Sequence, residues 1–283
     1  MKEEEQPEYK KLLIVNDIPL GNNNIMFEQI LPKEFKEKIC CCCVDYNITK
    51  NEFNSFIKLK IETNVPYDEK NSEHEKTLTS FLETSKNIYK DIIDFDSISE
   101  EEKWKIFGFQ SKNPRTDFRG GGFYSLKFMN YFVNHYEDDA KFLFNQTYFL
   151  FAVVCIRITF LLRLNLYLFP KKEIKIQQIT NKISSCSRKE IKNFCRCLEK
   201  DEFIFLDILS YCLIFIKKKF FRDLRNEQNE KNFLLIDPII NLSISTLNTT
   251  LNENINRENL IEELKYNLNK GLNIKINNLL IKN

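Results

Sequence analysis

Six glycines and seven prolines among 283 residues leave this chain few places to turn. Sheet-rich sandwiches draw heavily on both residues for their turns, so the scarcity favours long helices and predicts an all-α fold. The apolar supply is enough to fill such a fold. Hydrophobic residues make up 43%, aromatic residues 13%, and there are 25 Phe. That composition argues against wholesale disorder and suits one large domain or two small ones.

The glycines are also unevenly spread. Four of the six lie between Gly108 and Gly122, together with Pro114. On either side, apolar residues recur at helical spacing. Leu78, Phe81, Leu82, Ile88-Tyr89 and Ile92-Ile93 form one such series, and Phe123, Leu126, Met129, Phe132 and Val133 another. Ser97 and Ser99 each precede a Glu three residues on, the pattern of a capping box. Glu100-Glu101-Glu102 follows and suits the positive end of a helix dipole. The helix so started would hold Trp104. Phe142 to Phe169 supplies one long or two short apolar helices ending at Pro170; Phe203 to Phe221 and Glu258 to Leu268 supply others. Lys50 to Ile61 fits a helix or an edge strand equally well. The division expected is an N-terminal extension over 1–60, a compact multi-helix domain over 61–240, and an Asn/Lys-rich C-terminal helix and tail over 241–283. Both flanks read as low-complexity extensions. The Asn and Lys richness is a composition bias before it is a functional signal.

Charge excludes some functions. With 42 basic and 40 acidic residues the formal charge is +2, which gives no general pull toward nucleic acid. The start Lys2-Glu3-Glu4-Glu5 has neither the basic opening nor the apolar run of a signal peptide. Position 2 is not Gly and no prenylation motif ends the chain, so a cytoplasmic protein is expected. Tyr148 to Phe169 is the best candidate span, but Arg157 and Arg163 interrupt it, and its uncharged part is too short for a bilayer core of ~30 Å. A buried helix is the better reading. Nine cysteines without a secretory signal suggest reduced thiols. Cys40-Cys41-Cys42-Cys43 cannot close a tetrahedral metal cage, because neighbouring side chains diverge. They read as small hydrophobes, with S-acylation as the alternative. No metal site is expected, and the two histidines, His74 and His135, sit in no zinc or triad motif. Lys217 to Arg225 reads as a solvated helix end, or as a contact to anionic lipid on an internal membrane.

The chemistry, if any, lies in Trp104 to Gly122. Three glycines follow Arg119 directly, and glycine lets another surface approach closely. Pro114 to Asp117 can form a type I turn. Asp117 can cap it or pair with an arginine, and Phe109 and Phe118 can anchor it to the core. Gln110 is expected to bond loop backbone rather than a partner. The product would be a stiff loop projecting a guanidinium, which forks onto phosphate oxygens. An arginine tied to Asp117 or to a carbonyl is the plainer alternative.

This segment resembles the signature of the ELMO (engulfment and cell motility) domain family: a Trp, then Gly-Phe-Gln, then Pro-x-Thr-Asp-Phe-Arg-Gly-x-Gly, then a Leu-rich helix. It stands here as Trp104, Gly108-Phe109-Gln110, Pro114, Thr116-Asp117-Phe118-Arg119-Gly120, Gly122 and Leu126. Phe151 to Thr159 is similar to a second family helix, and the likeness covers roughly residues 60 to 240. Ser111, Tyr124-Ser125, Cys155 and Arg157 depart from the family's usual residues. The resemblance implies an all-helical fold. It also implies one of two activities. Short members activate Arf and Arf-like GTPases, the arginine of Asp-Phe-Arg-Gly serving as a finger; long members lack that arginine and serve as scaffolds for DOCK-type exchange factors. Retention of Arg119 implies the first group, with Arg119 catalytic in trans, Asp117 orienting it, and GTP and Mg²⁺ belonging to the partner GTPase. The chain itself would need no cofactor. Arg115 is a rival finger, but it occupies a variable position of the motif. A non-catalytic adaptor that binds a GTPase or an exchange factor is the alternative.

Overall fold

The computed structural model describes residues 24–25, 48–90, 93–95, 97–146, 149–169, 184–223, 236–253 and 259–274. Cys40 to Cys43, Ile92, Pro170 and the tail beyond residue 274 lie outside these, as do the N-terminal residues apart from 24–25 and 48 onward. The described chain is helical, and the only strands in it are a two-residue antiparallel pair, Asn24–Ile25 with Ile48–Thr49.

Helix starts follow side-chain chemistry. Thr49, Ser99 and Ser187 each accept from the backbone N–H three residues on, while Glu52, Glu102 and Glu190 reach back to the cap N–H. These reciprocal boxes satisfy donors that a helix start otherwise leaves open. They open α1 (Lys50–Thr63), α3 (Glu100–Ile106) and α7 (Arg188–Lys200). Asn71 caps α2 (Ser72–Tyr89) through Glu73 N–H. Of the two serines with a Glu three residues on, Ser99 is the cap; Ser97 turns its hydroxyl to Asp94 O.

The centre is α6 (Phe151–Asn165), eleven of whose fifteen residues are buried. A helix apolar nearly all round needs cover on every side. α4 (Gly122–His135) and α8 (Ile204–Asp223) pack on it, with α9 (Ile236–Asn252) alongside. α2 packs on α4, α1 on α7, and α10 (Leu260–Gly271) on α8 and α9. α5 (Glu137–Phe144) closes against α2 and α4. The apolar stretch from Phe142 to Phe169 is therefore divided between α5 and α6. No helix among the described residues is long and apolar enough to cross a membrane.

Lys50 to Ile61 is a helix, and it buries Phe53, Phe56 and Leu59 at helical spacing. The basic run after Ile216 is less solvated than its sequence suggests. Lys217 pairs with Asp139 and lies 4.9 Å from the Phe142 ring centre. Lys219 is fully buried, donating to the carbonyls of Leu272 (3.1 Å) and Ile274. That ammonium ties the end of α10 to the body.

Candidate functional site

The loop between α3 and α4 holds a 3₁₀ helix, Pro114–Arg119, longer than the type I turn its sequence suggests. Asn113 starts it by accepting from Arg115 N–H at 3.1 Å. A 3₁₀ helix has three residues per turn, so side chains three apart eclipse and six residues form three ridges. Burial follows that period. Pro114 is buried with Asp117 half-buried behind it, Arg115 is half-buried with Phe118 buried, and Thr116 and Arg119 are both exposed.

Each ridge has its own surroundings. Asp117 accepts from the backbone N–H groups of Gln110 (2.7 Å) and Ser111 (3.3 Å) and from the Ser111 hydroxyl (2.5 Å). It therefore stitches the loop to itself and does not hold Arg119. Gln110 joins through its backbone; its exposed side chain makes no hydrogen bond with any described residue, contrary to the expected side-chain bond. Ser111, where the family pattern has Gly, strengthens the clamp.

On the second ridge, Arg115 forks onto Glu75 of α2, with Nε to Oε1 at 2.9 Å and Nη2 to Oε2 at 2.5 Å. The Tyr67 hydroxyl donates to the same carboxylate at 2.6 Å. The guanidinium first, and then the phenol, hold the Glu75 carboxyl below the usual carboxylate range. Arg115 is thus a strut and not a free finger. Phe118 lies beneath it, stacked on Tyr67 at 4.8 Å and edge-on to Phe109 at 5.9 Å. Phe109 meets Trp104 at 5.5 Å and Phe81 at 6.2 Å. Lifting the loop would expose Phe109 and Phe118, at a cost of roughly 3–6 kcal/mol in burial alone. That is far above thermal energy, so the loop stays seated. His74 completes the wall: it stacks on Phe123 at 3.8 Å, and its Nδ1 accepts from Asp68 N–H at 2.9 Å. Burial lowers its pKa below the ordinary histidine range.

Arg119, on the third ridge, is exposed and makes no hydrogen bond or ion pair with any described residue. The glycines around the loop divide by role. Gly108 has φ +77°, and a Cβ there would lie 2.4 Å from Phe151 N. Gly122 has φ +63°, and a Cβ there would lie 2.6 Å from Val65 O. Both are packing requirements: α6 butts against Gly108, with Ala152 N–H donating to Phe107 O at 3.0 Å, and Phe123 N–H donates to Val65 O at 3.0 Å. A Cβ on Gly120 would make only ordinary contact, 3.6 Å from Ile156 Cγ2. Of the three consecutive glycines, Gly120 is exposed and beside the guanidinium, while Gly121 is buried.

The structure thus brings Trp104, Gly108, Phe109, Pro114, Asp117, Phe118 and Gly122 together as a scaffold, and leaves Gln110, Thr116, Arg119 and Gly120 on its outer face. The segment Phe151 to Thr159 meets the loop through Gly108, Gly120 and Ile156. The departures from the family pattern are accommodated: Ser125 donates to Gly122 O at 2.8 Å, buried Tyr124 packs on Phe205 at 5.6 Å, Cys155 is a buried thiol, and Arg157 forks onto Asp237 at 2.6 and 3.0 Å. Sequence reasoning placed His74 outside any zinc or triad motif and gave Glu75 and Tyr67 no role at the site. No local signal ties Glu75 to its arginine, forty residues away.

ELMO domain-containing protein B of Dictyostelium discoideum is 33% identical over 121 residues, covering 41% of this chain and 40% of that protein. ELMO domain-containing protein 2 of Mus musculus is 36% identical over 78 residues, covering 26% of this chain and 24% of that protein. Ankyrin repeat and ELMO domain-containing protein D of Dictyostelium discoideum is 29% identical over 82 residues, 28% of this chain and 6% of that protein. The matched segments span well under half of these relatives. No solved structure matches the chain. The sequence model of the ELMO/CED-12 family matches residues 58–235, from the middle of α1 through the loop and α6 to the edge of α9, and the chain belongs to that family.

Proposed function

We propose that this protein accelerates GTP hydrolysis by a small GTPase of the Arf family, with Arg119 as a finger supplied in trans. The observation that carries this reading is the contrast among its arginines. Arg115 and Arg157 are forked onto carboxylates, while Arg119, between them in sequence, stands exposed without a described partner on a braced ridge. A guanidinium so placed can enter another protein's site without first breaking a bond. The family resemblance supports the partner class, and the exposure of Arg119 supports its use as a finger.

GTP hydrolysis spreads negative charge over the transferring phosphoryl group. The partner brings the nucleotide, Mg²⁺ and the residue that positions water. Arg119 supplies the missing positive charge, an effect worth 10³–10⁵ in rate, or roughly 4–7 kcal/mol. Exposed Gly120 leaves room for the partner's surface to close over the loop. The test is phosphate release from a panel of GTP-loaded Arf-family GTPases, with the wild-type chain, Arg119→Ala and Arg119→Lys. Stimulation by wild type, lost in Arg119→Ala and largely lost in Arg119→Lys, is the expected result, because an ammonium cannot fork. Equal stimulation by all three removes Arg119 from the reaction. Binding to a GTPase without any stimulation makes the chain an adaptor.

A further inference from the structure

Two residues, Gly120 and Gly121, separate the 3₁₀ helix from α4, and its own hydrogen bonds do not fix its rotation about its axis. Rotation matters, because one-third of a turn carries Arg119 from the solvent ridge into the position of Phe118. Burial of Phe118 seats it, and two hydrogen-bonded side-chain systems refine it. Asp117 clamps one ridge to the start of the same loop, and so moves with the loop. Among the described residues, only the second ridge is hydrogen-bonded to another helix of the domain, through the fork from Arg115 to Glu75, and the same ridge buries Phe118. Glu75 lies in the first turn of α2, and α2 packs along α4. Tyr67 closes the arrangement: its hydroxyl holds Glu75 and its ring stacks on Phe118.

We infer that Glu75 is a positioning residue for the finger, with Arg115 as the lever and Tyr67 as the latch: the Glu75–Arg115 fork fixes the rotation of the 3₁₀ helix and so the direction in which Arg119 leaves the surface. The inference rests on the reading of Arg119 above. A bidentate fork is suited to the task because it constrains angle as well as distance. The charged pair is only about one-third exposed on each side, so solvent does not dissolve it as it would a surface pair. Neither Glu75 nor Arg115 needs to touch the GTPase.

The experiment uses the full chain with the GTPase that wild type stimulates, in single-turnover hydrolysis at increasing activator concentration, with a melting curve for each variant. Glu75→Gln, Arg115→Met and Tyr67→Phe are compared with Arg119→Ala and with the swapped pair Glu75→Arg/Arg115→Glu. Small misplacements of a reacting group cost up to about 10²-fold in rate. Glu75→Gln and Arg115→Met are expected to lower the maximal rate at least roughly tenfold, leaving the half-saturating concentration nearly unchanged. Tyr67→Phe, which keeps the ring stack, is expected to lower it less. The swapped pair is expected to regain part of the maximal rate, whereas a merely structural role would lower rate and melting temperature in step across the variants. Maximal rates at the wild-type level in Glu75→Gln and Arg115→Met, with Arg119→Ala inactive, overturn the positioning role and leave the finger standing. A loss confined to the half-saturating concentration, or one that tracks the fall in melting temperature across all variants without rescue by the swap, also overturns it. Full activity in Arg119→Ala overturns the finger, and the positioning role with it.

Discussion

Gly122 and Gly120 stand two residues apart in the same glycine run, yet the structure expects opposite responses to the same substitution. At Gly122 the backbone has φ +63°, in the left-handed region, where an L side chain costs about 1–2 kcal/mol. The added methyl would also lie 2.6 Å from Val65 O, closer than Cβ contacts allow. That oxygen is backbone, and it accepts from Phe123 N–H at 3.0 Å, so relieving the clash loosens a hydrogen bond worth about 1 kcal/mol. Gly122→Ala should therefore cost about 2–3 kcal/mol, which for a domain of this size is roughly a 5–10 °C fall in melting temperature. At Gly120, φ is −80° and the methyl would sit 3.6 Å from Ile156 Cγ2, an ordinary contact. Gly120→Ala should stay within about 0.5 kcal/mol of wild type. Thermal unfolding followed by far-ultraviolet circular dichroism reads both. The reasoning fails if the two variants melt together, or if Gly122→Ala melts with wild type. The pair also separates stability from function: a Gly120→Ala protein that melts normally but stimulates hydrolysis poorly points to crowding at the partner's surface.

Three more outcomes follow from the loop and its wall. Phe118 is 1% exposed among aromatic neighbours, so Phe118→Ala should destabilise by about 3–5 kcal/mol in urea unfolding, at the level of a core mutation and not of a loop mutation. Glu75 has its folded pKa depressed below the ordinary value of 4.5, chiefly by the hydrogen bond from Arg115. Its contribution is therefore present above that value and lost as pH falls through the folded pKa; the stability gap between wild type and Glu75→Gln should be constant near neutrality and shrink below about pH 4.5 in a pH series of unfolding curves. His74 is depressed by burial below 6.5, and protonation at Nδ1 would remove the acceptor of Asp68 N–H. Stability should fall as pH drops below about 6.5, and the same titration of His74→Phe should lose that step.

Much of the scaffold was legible because its cues are local. Ser99 with Glu102, and the periodic Phe123, Leu126, Met129 and Phe132, each declare a helix within one or two turns of sequence. The break at Gly108 to Gly122 was visible as a composition anomaly. α1 was ambiguous because its buried face carries Glu52, Lys60 and Thr63 among the apolar residues, and tertiary partners satisfy the two charges: Glu52 meets Arg196, and Lys60 donates to Tyr167 O. Asp117 was legible as a loop residue but not in its choice of partner, since amides and a guanidinium compete for one carboxylate and only the folded geometry decides. The Glu75–Arg115 fork and the seat of Gly108 against Leu150 and Phe151 are long-range, and no periodicity announces them.

The three ridges of the 3₁₀ helix carry a consequence for length. Side chains eclipse every third residue from Pro114 to Arg119, with Thr116 and Arg119 on the exposed ridge, so inserting or deleting a single residue turns everything after it by about 120°. Arg119 would then swing over the aromatic seat, and a ring or a carboxylate would face outward in its place. Spacing in this stretch is under the same constraint as identity, and relatives that keep every motif residue but change the count should not present the same charge.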